Sequence, residues 1–250
     1  MVLALTALGV IGVAQGAEPI VIKFSHVVAE NTPKGQGALK FKELAEKYTN
    51  GAVKVEVYPN STLYKDKEEL EALQLGAVQM LAPSLAKFGP LGVRQFEVFD
   101  LPFIFDNYDE LHKVTYGPVG KKLLDALEPK GIKGLAYWDN GFKVFSANKP
   151  LRKHEVQKYV TRSDHGYLGY AVITNKRFWD GLPAEVRSQL EKAMEEATEF
   201  ANAIAKKEND DALDQPRRRK DQRLAPAALD LSHGRPPFRS PRACRFVSKS

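Results

Sequence analysis

Cysteine is almost absent from this chain of 250 residues, whose only one, Cys244, lies near the end. An intramolecular disulfide is therefore excluded. The sequence also lacks HExxH, paired CxxC, GxSxG and P-loop motifs, and beyond residue 13 it has no apolar run long enough to cross a bilayer. We predict that the chain is not an enzyme, needs no cofactor or metal, and has no membrane span after its first residues.

The first residues are the one long apolar segment. Residues 2–13 are rich in leucine and valine, and small residues follow at Ala14 and Gly16. This pattern is typical of a secretory signal peptide, although the usual positive charges at its start are missing. We predict a signal peptide over residues 1–17 and a periplasmic mature protein. A buried first helix or a membrane anchor remains the alternative.

The positive charge of the chain is confined to its end. Ten lysines and arginines against two aspartates give residues 216–250 a charge of +8, within a total of +6. Residues 1–215 therefore carry a charge of −2. A basic composition that is local to one segment does not support a nucleic-acid-binding protein as a whole.

This basic segment contains five prolines and only two aromatic residues, without helical or strand periodicity. Such a composition buries too little apolar surface to offset the loss of chain entropy. We predict that residues 215–250 form a disordered tail. The alternatives for its role are an end without selected function and an arginine-rich arm that binds nucleic acid or anionic lipid.

The remaining chain alternates strand and helix patterns. A β-branched run at residues 21–25 leads into a polar loop, and Thr32 with Pro33 is a helix start that Asn50 and Gly51 end. Residues 53–57 alternate as a strand. Asp66 and Glu69 form a capping-box pattern before a helix that ends at Gly76, and residues 78–82 are a short apolar strand.

Two successive strand–helix–strand units predict a parallel sheet, in which ligands bind beyond the carboxyl ends of the strands. The loops at residues 26–31 and 83–87 fall there. Further along, the patterns predict a helix over residues 118–128, strands over 132–138, 143–147 and 167–174, and a long helix over 183–213.

Five motifs in order carry a family resemblance: VIKFSH at residues 21–26, YPNS at 58–61, LQLGAVQ at 73–79, LPF at 101–103 and NKRFWDGLP at 175–183. With them the chain resembles the solute receptors of tripartite ATP-independent periplasmic (TRAP) transporters, closest to the DctP-type dicarboxylate receptors. The resemblance implies two α/β lobes that close on an organic acid, a long helix along both, and delivery of the solute to a TRAP membrane permease.

The sequence departs from this family after Arg152. The family pattern continues into a second lobe, whose arginine pairs with the ligand carboxylate and whose later loop supplies an asparagine to the cleft. Here Arg152 is followed by residues 153–159, which resemble family sequence from beyond that lobe. We therefore expect a periplasmic-binding-protein-like α/β fold with one largely complete lobe over residues 18–152. Residues 153–182 are expected to return to this lobe as strands, and a long helix follows over residues 183–214. Most of the second lobe is expected to be absent.

The predicted ligand-binding residues lie on loops at one edge of the predicted sheet. They are His26, Asn31, Lys34, Ser84, Lys87, Asn140 and Lys143. A helix start next to a polar loop favours an anion, and the resemblance implies a basic residue at Lys143. Each has a structural alternative: Lys34 and Lys87 as solvated surface lysines, and His26 as a residue that caps a strand end. Trp138 and Phe88 are interpreted as core residues.

Three functions remain open at this stage. The first is a receptor for a small carboxylate that is impaired by loss of the second lobe. If the impairment is complete, the chain is a non-functional truncated product. The second is a small α/β enzyme, for which no nucleophile–base constellation is visible. The third is an interaction protein that acts through its basic tail.

Overall fold

The computed structural model describes residues 18–147, 159–161 and 164–218. The predicted signal peptide, the junction after Arg152 and the tail beyond residue 218 lie outside these residues. Among the described helices, none combines the length and the apolar character that a bilayer span requires.

A five-stranded mixed sheet forms the centre of the fold, in the order β2-β1-β3-β7-β4. Its strands are β1 (Ile20–Ser25), β2 (Val53–Tyr58), β3 (Met80–Leu81), β4 (Ile132–Phe142) and β7 (Tyr167–Asn175). Strand β1 pairs in parallel with β2 and β3, which confirms the two predicted strand–helix–strand units. Strand β7 is antiparallel to both β3 and β4, so these two point in the same direction as β1. A separate antiparallel pair joins β5 (Phe145–Ala147) and β6 (Tyr159–Thr161).

Helices cover both faces of this sheet and define two apolar clusters. On one face, α1 (Pro33–Tyr48) and α6 (Ala184–Arg218) pack around Phe24, Phe41 and Trp138. The other face is covered by α2 (Glu69–Gln74), α3 (Tyr108–Thr115), α4 (Pro118–Asp125) and 3₁₀ turns, and its cluster includes Phe88, Phe96 and Phe99. The short helix α5 (Lys176–Asp180) follows β7 directly. Trp138 and Phe88 are fully buried, as predicted for core residues.

Helix α1 shows why its start was predictable from sequence. The Thr32 hydroxyl accepts a hydrogen bond from the Gly35 amide at 3.2 Å, and Pro33 occupies the first turn. Both features suit a helix N-terminus, where backbone donors lack partners within the helix. Lys34 follows Pro33 in this first turn, so the cap helps to fix the position of Lys34 at the sheet edge.

The predicted capping box at Asp66 and Glu69 is wrong. Helix α2 begins at Glu69 after Glu68, and no side chain caps it. Both carboxylates bind Lys87 instead. Leu75, which lies within the predicted helix that ends at Gly76, is 79% exposed because α2 ends at Gln74.

Three predicted boundaries also differ. Helix α4 ends at Asp125 rather than residue 128, because Pro129 lacks an amide donor and disfavours helical geometry before it. Strand β4 extends past Trp138 to Phe142, since β7 pairs with it over that length. Helix α6 continues through Pro216 to Arg218, so the prediction of disorder from residue 215 is wrong for residues 215–218.

Candidate ligand-binding site

The carboxyl ends of β1, β3 and β4 lie at one edge of the sheet because these strands share a direction. His26 follows β1, Ser84 lies three residues after β3, and Asn140 lies near the end of β4. The sheet register aligns Ser84 with Tyr170, and Tyr170 with Trp138. Asn140 and Lys143 therefore lie further along the strand direction than Ser84.

Lys34 is the central cation at this edge, and it is buried rather than solvated, with 4% of its surface exposed. Its Nζ donates a hydrogen bond to the Ala82 carbonyl at 3.0 Å, which ties α1 to the loop after β3. The same ammonium lies 3.7 Å from the centre of the Tyr170 ring, in cation–π geometry. An aromatic face and a carbonyl orient the ammonium without neutralising its charge.

The environment of Lys34 makes its charge costly. Burial lowers its pKa from 10.5 to about 8, and Lys87 contributes in the same direction. Glu69 and Asp66 act against this shift. A bound carboxylate would stabilise the charged form further, because an opposite charge at short range favours ionisation.

Lys87 forms a partly buried ion-pair cluster beside Lys34, with Glu69 buried and Asp66 exposed. Its Nζ lies 2.9 Å from Glu69 Oε1 and 2.5 Å from Asp66 Oδ1, and it also donates to the Asp66 carbonyl. Glu69 is 1% exposed, and burial raises its pKa although Lys87 partly offsets this. Because two carboxylates already hold Lys87, its ammonium is less available to a ligand than that of Lys34.

His26 lies next to Lys34 as a neutral side chain. The imidazole is 1% exposed and packs edge-on against Phe24. Burial, followed by the charge of Lys34, lowers its pKa to about 4, although the Val28 backbone acts in the opposite direction. Neither ring nitrogen has a partner with good hydrogen-bond geometry among the described residues. At neutral pH, His26 is therefore an uncharged neighbour of Lys34.

The four other predicted residues have mixed positions. Ser84 caps a 3₁₀ turn through a contact from the Ala86 amide, and its backbone bridges to Tyr170. Asn31 is exposed, and its carbonyl accepts from Gln36. Asn140 and Lys143 are exposed; the Asn140 carbonyl accepts from Asn209, and the Lys143 amide donates to Gly166. The structure thus groups His26, Lys34, Ser84 and Lys87, and shows no contact from Asn31, Asn140 or Lys143 to this group.

Sequence reasoning missed two sets of residues. Tyr170, in the middle of an apolar strand, gave no signal that its ring would lie under an ammonium.

A second polar cluster surrounds the buried carboxylate of Asp139, whose oxygens lie 2.7 Å from His112 Nε2 and 2.6 Å from the Tyr167 hydroxyl. Asn202 on α6 accepts from the Asp139 amide at 2.8 Å. These four residues are far apart in sequence, so no local motif could indicate the cluster.

The arrangement around Lys34 is suited to holding an anion. One oriented ammonium at a sheet edge provides a positive charge that can bond to a carboxylate. The described residues contain no cluster of three metal-binding side chains.

Known proteins resemble this chain over about four fifths of its length. The family model for bacterial extracellular solute-binding proteins of family 7 (DctP) matches residues 24–154 and 152–225. The C4-dicarboxylate-binding periplasmic protein DctP of Rhodobacter capsulatus is 59% identical, over 79% of this chain and 77% of that protein. The C4-dicarboxylate-binding protein DctB of Bacillus subtilis is 36% identical, over 79% of this chain and 74% of its own.

Solved structures give the same result for the fold. A TRAP periplasmic solute-binding protein from Shewanella oneidensis with bound succinate has a TM-score of 0.73 and 36% identity, covering 80% of this chain and 85% of that one. One from Pseudomonas aeruginosa with bound L-malate has a TM-score of 0.71 and 37% identity, covering 78% of this chain and 90% of that one. The chain therefore belongs to family 7 of the bacterial extracellular solute-binding proteins, a family of transport receptors and not of enzymes.

Proposed function

We propose that this chain is a periplasmic receptor for a small organic acid, most simply a C4-dicarboxylate, which it captures for a TRAP permease. The similar proteins of Rhodobacter and Bacillus carry dicarboxylate-binding names, and the Shewanella and Pseudomonas structures hold succinate and malate. Residues 1–17 would direct export as a cleaved signal peptide.

The observation that carries this proposal is the buried ammonium of Lys34. Its position is set by the Thr32 cap, the Ala82 carbonyl and the Tyr170 ring. Side chains that are positioned before the ligand arrives lose little entropy on binding. A carboxylate placed at Lys34 would form a charge-assisted hydrogen bond of the strong kind.

Loss of most of the second lobe would weaken this receptor. The family match consists of two segments that meet at residues 152–154, the position of the predicted junction. The alignment with the Rhodobacter protein runs over 257 residues, although it covers only 79% of this 250-residue chain. This supports an internal stretch of the relative that has no counterpart here. The chain would then lack the second wall that excludes water from the ligand.

Titration calorimetry with succinate, malate and fumarate tests the proposal. We expect a heat of binding from the unaltered chain, and at least about tenfold weaker binding by Lys34→Met, because a charge-assisted bond contributes about 1.5–3 kcal/mol. Lys40→Met is the matched control: Lys40 lies on the same helix but pairs with Glu43 at 3.0 Å. A folded chain that gives no heat with any of these acids at millimolar concentration would contradict receptor function and favour the non-functional alternative.

A further inference from the structure

A groove of about 590 Å³ follows the outer edge of the five-stranded sheet and contains none of the predicted ligand-binding residues. Its floor is the backbone of residues 134–137 in β4, which is the last strand in the sheet order. Helix α4 forms one wall and helix α6 forms the other. The groove is therefore a strand edge that lies between two helices.

Helix α6 covers only the far half of this strand edge. The Asn202 side chain accepts from the Asp139 amide at 2.8 Å and donates to the Tyr137 carbonyl at 3.3 Å. Asn209 donates to the Asn140 carbonyl at 2.6 Å. These amide side chains occupy backbone groups that another strand could otherwise bind. The near half, residues 134–136, lines the groove. Strand β7 pairs with Gly134 and Ala136 on the inner side of β4, with a register shift between them, and no described strand pairs with the outer side.

The α6 wall of the groove is acidic. Glu191, Glu195 and Glu199 are exposed and follow one another at four-residue spacing, so they form a single row along the helix. Among the described residues, no hydrogen bond or ion pair neutralises them. The row offers negative charge along the length of the open strand edge.

The rest of the groove lining contains apolar, acidic and basic side chains. Leu124 on α4 and Met194 on α6 supply apolar surface. Asp125 on α4 is paired with Lys133 at 3.5 Å, and Lys133 also binds Glu128 at 2.7 Å. Lys121 adds a positive charge on the α4 side. Negative charge that is not already paired is therefore concentrated on the α6 side.

We propose that this groove binds an extended, basic segment of a partner protein, which adds to β4 as a further strand. An added strand would satisfy the backbone groups of residues 134–136. Its successive side chains would point alternately to α6 and to α4. Lysine or arginine at every second position would meet the row of glutamates, and apolar residues between them would pack on Leu124. The required partner chemistry is thus a basic–apolar alternation.

Fluorescence anisotropy with a labelled six-residue peptide of alternating lysine and valine tests this proposal. Two control peptides have the same charge: one places its three lysines before its three valines, and one carries a central proline. We expect the alternating peptide to bind at least about tenfold more tightly than either control, because only it can form a strand with one basic face. Equal binding of all three peptides would overturn the proposal, since it would indicate non-specific attraction, and so would no binding by any of them.

Charge reversal locates the site. The double variant Glu191→Lys/Glu195→Lys should weaken binding of the alternating peptide by about tenfold or more. Glu208→Lys, an exposed position on the same helix outside the groove lining, is the matched control and should bind as the unaltered chain does. Unaltered thermal unfolding of both variants would show that they fold. Unchanged affinity of the double variant would contradict the proposal.

Sedimentation of the chain alone distinguishes a second copy as the occupant. Two chains that pair through their β4 edges would form a dimer that the double variant separates, and this result would overturn the proposal of a basic partner. A chain that stays monomeric and binds only the alternating peptide supports it. Succinate binding should be the same in the double variant and the unaltered chain, so failure of the groove proposal is separable from failure of the receptor proposal.

Discussion

His26 and Lys34 are two basic side chains buried next to each other, and burial lowers the pKa of both. Burial removes the hydration of the charged state. The charge of Lys34 adds to that penalty at His26, and the charge of Lys87 adds to it at Lys34, where Glu69 and Asp66 act in the opposite direction. The penalty at Lys34 is useful if an anion binds there, because the anion removes it. The penalty at His26 affects the stability of the fold instead.

We expect His26 to make the fold sensitive to acid. Its pKa is about 4 in the folded state against 6.5 as reference, so between pH 6.5 and 4 the unfolded chain takes up a proton that the folded chain does not. Stability should therefore fall over this range, by up to about 3 kcal/mol. Urea unfolding at pH 7 and pH 4.5 measures the loss, which should be smaller in His26→Phe. Equal losses in both proteins would show that His26 is not responsible.

Lys34 predicts a second pH effect, on ligand affinity and at the alkaline end. Only the charged amine attracts a carboxylate, and with a pKa of about 8 it is mostly neutral at pH 9.5. Succinate binding should weaken by up to about thirtyfold between pH 7 and pH 9.5. Calorimetry at the two values, with stability checked by circular dichroism, measures the change. Constant affinity up to pH 9.5 would mean that Lys34 does not hold the ligand.

At the scale of elements, sequence predicted what local chemistry determines. Thr32 and Pro33 define the start of α1, and alternation defines β2, because the groups that matter lie within a few residues of one another. The position of β7 between β3 and β4 was not predictable, since it depends on pairing across more than 90 residues. Asp66 and Glu69 fitted a capping pattern, but the pairing with Lys87 determines where they lie.

The hydrogen bonds from α6 side chains to the backbone of β4 predict how much this contact contributes to stability. Asn202 is 8% exposed and bonds to the backbone of Tyr137 and Asp139. Asn209 is half-buried and donates to the carbonyl of the exposed Asn140 and to that of Ala205 in its own helix. Asn202→Ala should lower the free energy of unfolding by about 1–3 kcal/mol, because buried backbone groups lose their partner. Asn209→Ala, the matched control, should cost less since water can replace its amide. Urea unfolding measures both, and equal effects would contradict this account.

At the scale of the whole molecule, sequence identified the family better than it identified the atoms that would bind a ligand. His26, Lys34, Ser84 and Lys87 do lie together, because loops that follow parallel strands meet at one sheet edge. Their individual states could not be predicted. Whether a lysine is neutralised, as Lys87 is, or faces an aromatic ring, as Lys34 does, depends on residues distant in sequence. The role of each predicted residue in binding stays a prediction.

The proposed loss of the second lobe predicts weak discrimination between acids with one and two carboxylates. Lys34 can hold one carboxylate, and the second carboxylate of succinate would remain in water, where an ion pair contributes about 1 kcal/mol or less. We therefore expect succinate and butyrate to bind this chain with affinities within about fivefold of each other. Calorimetry with both acids measures the ratio, and butyramide, which has no charge, should not bind. A hundredfold preference for succinate would require a second cationic group at the site, and would contradict the proposed loss of the second lobe.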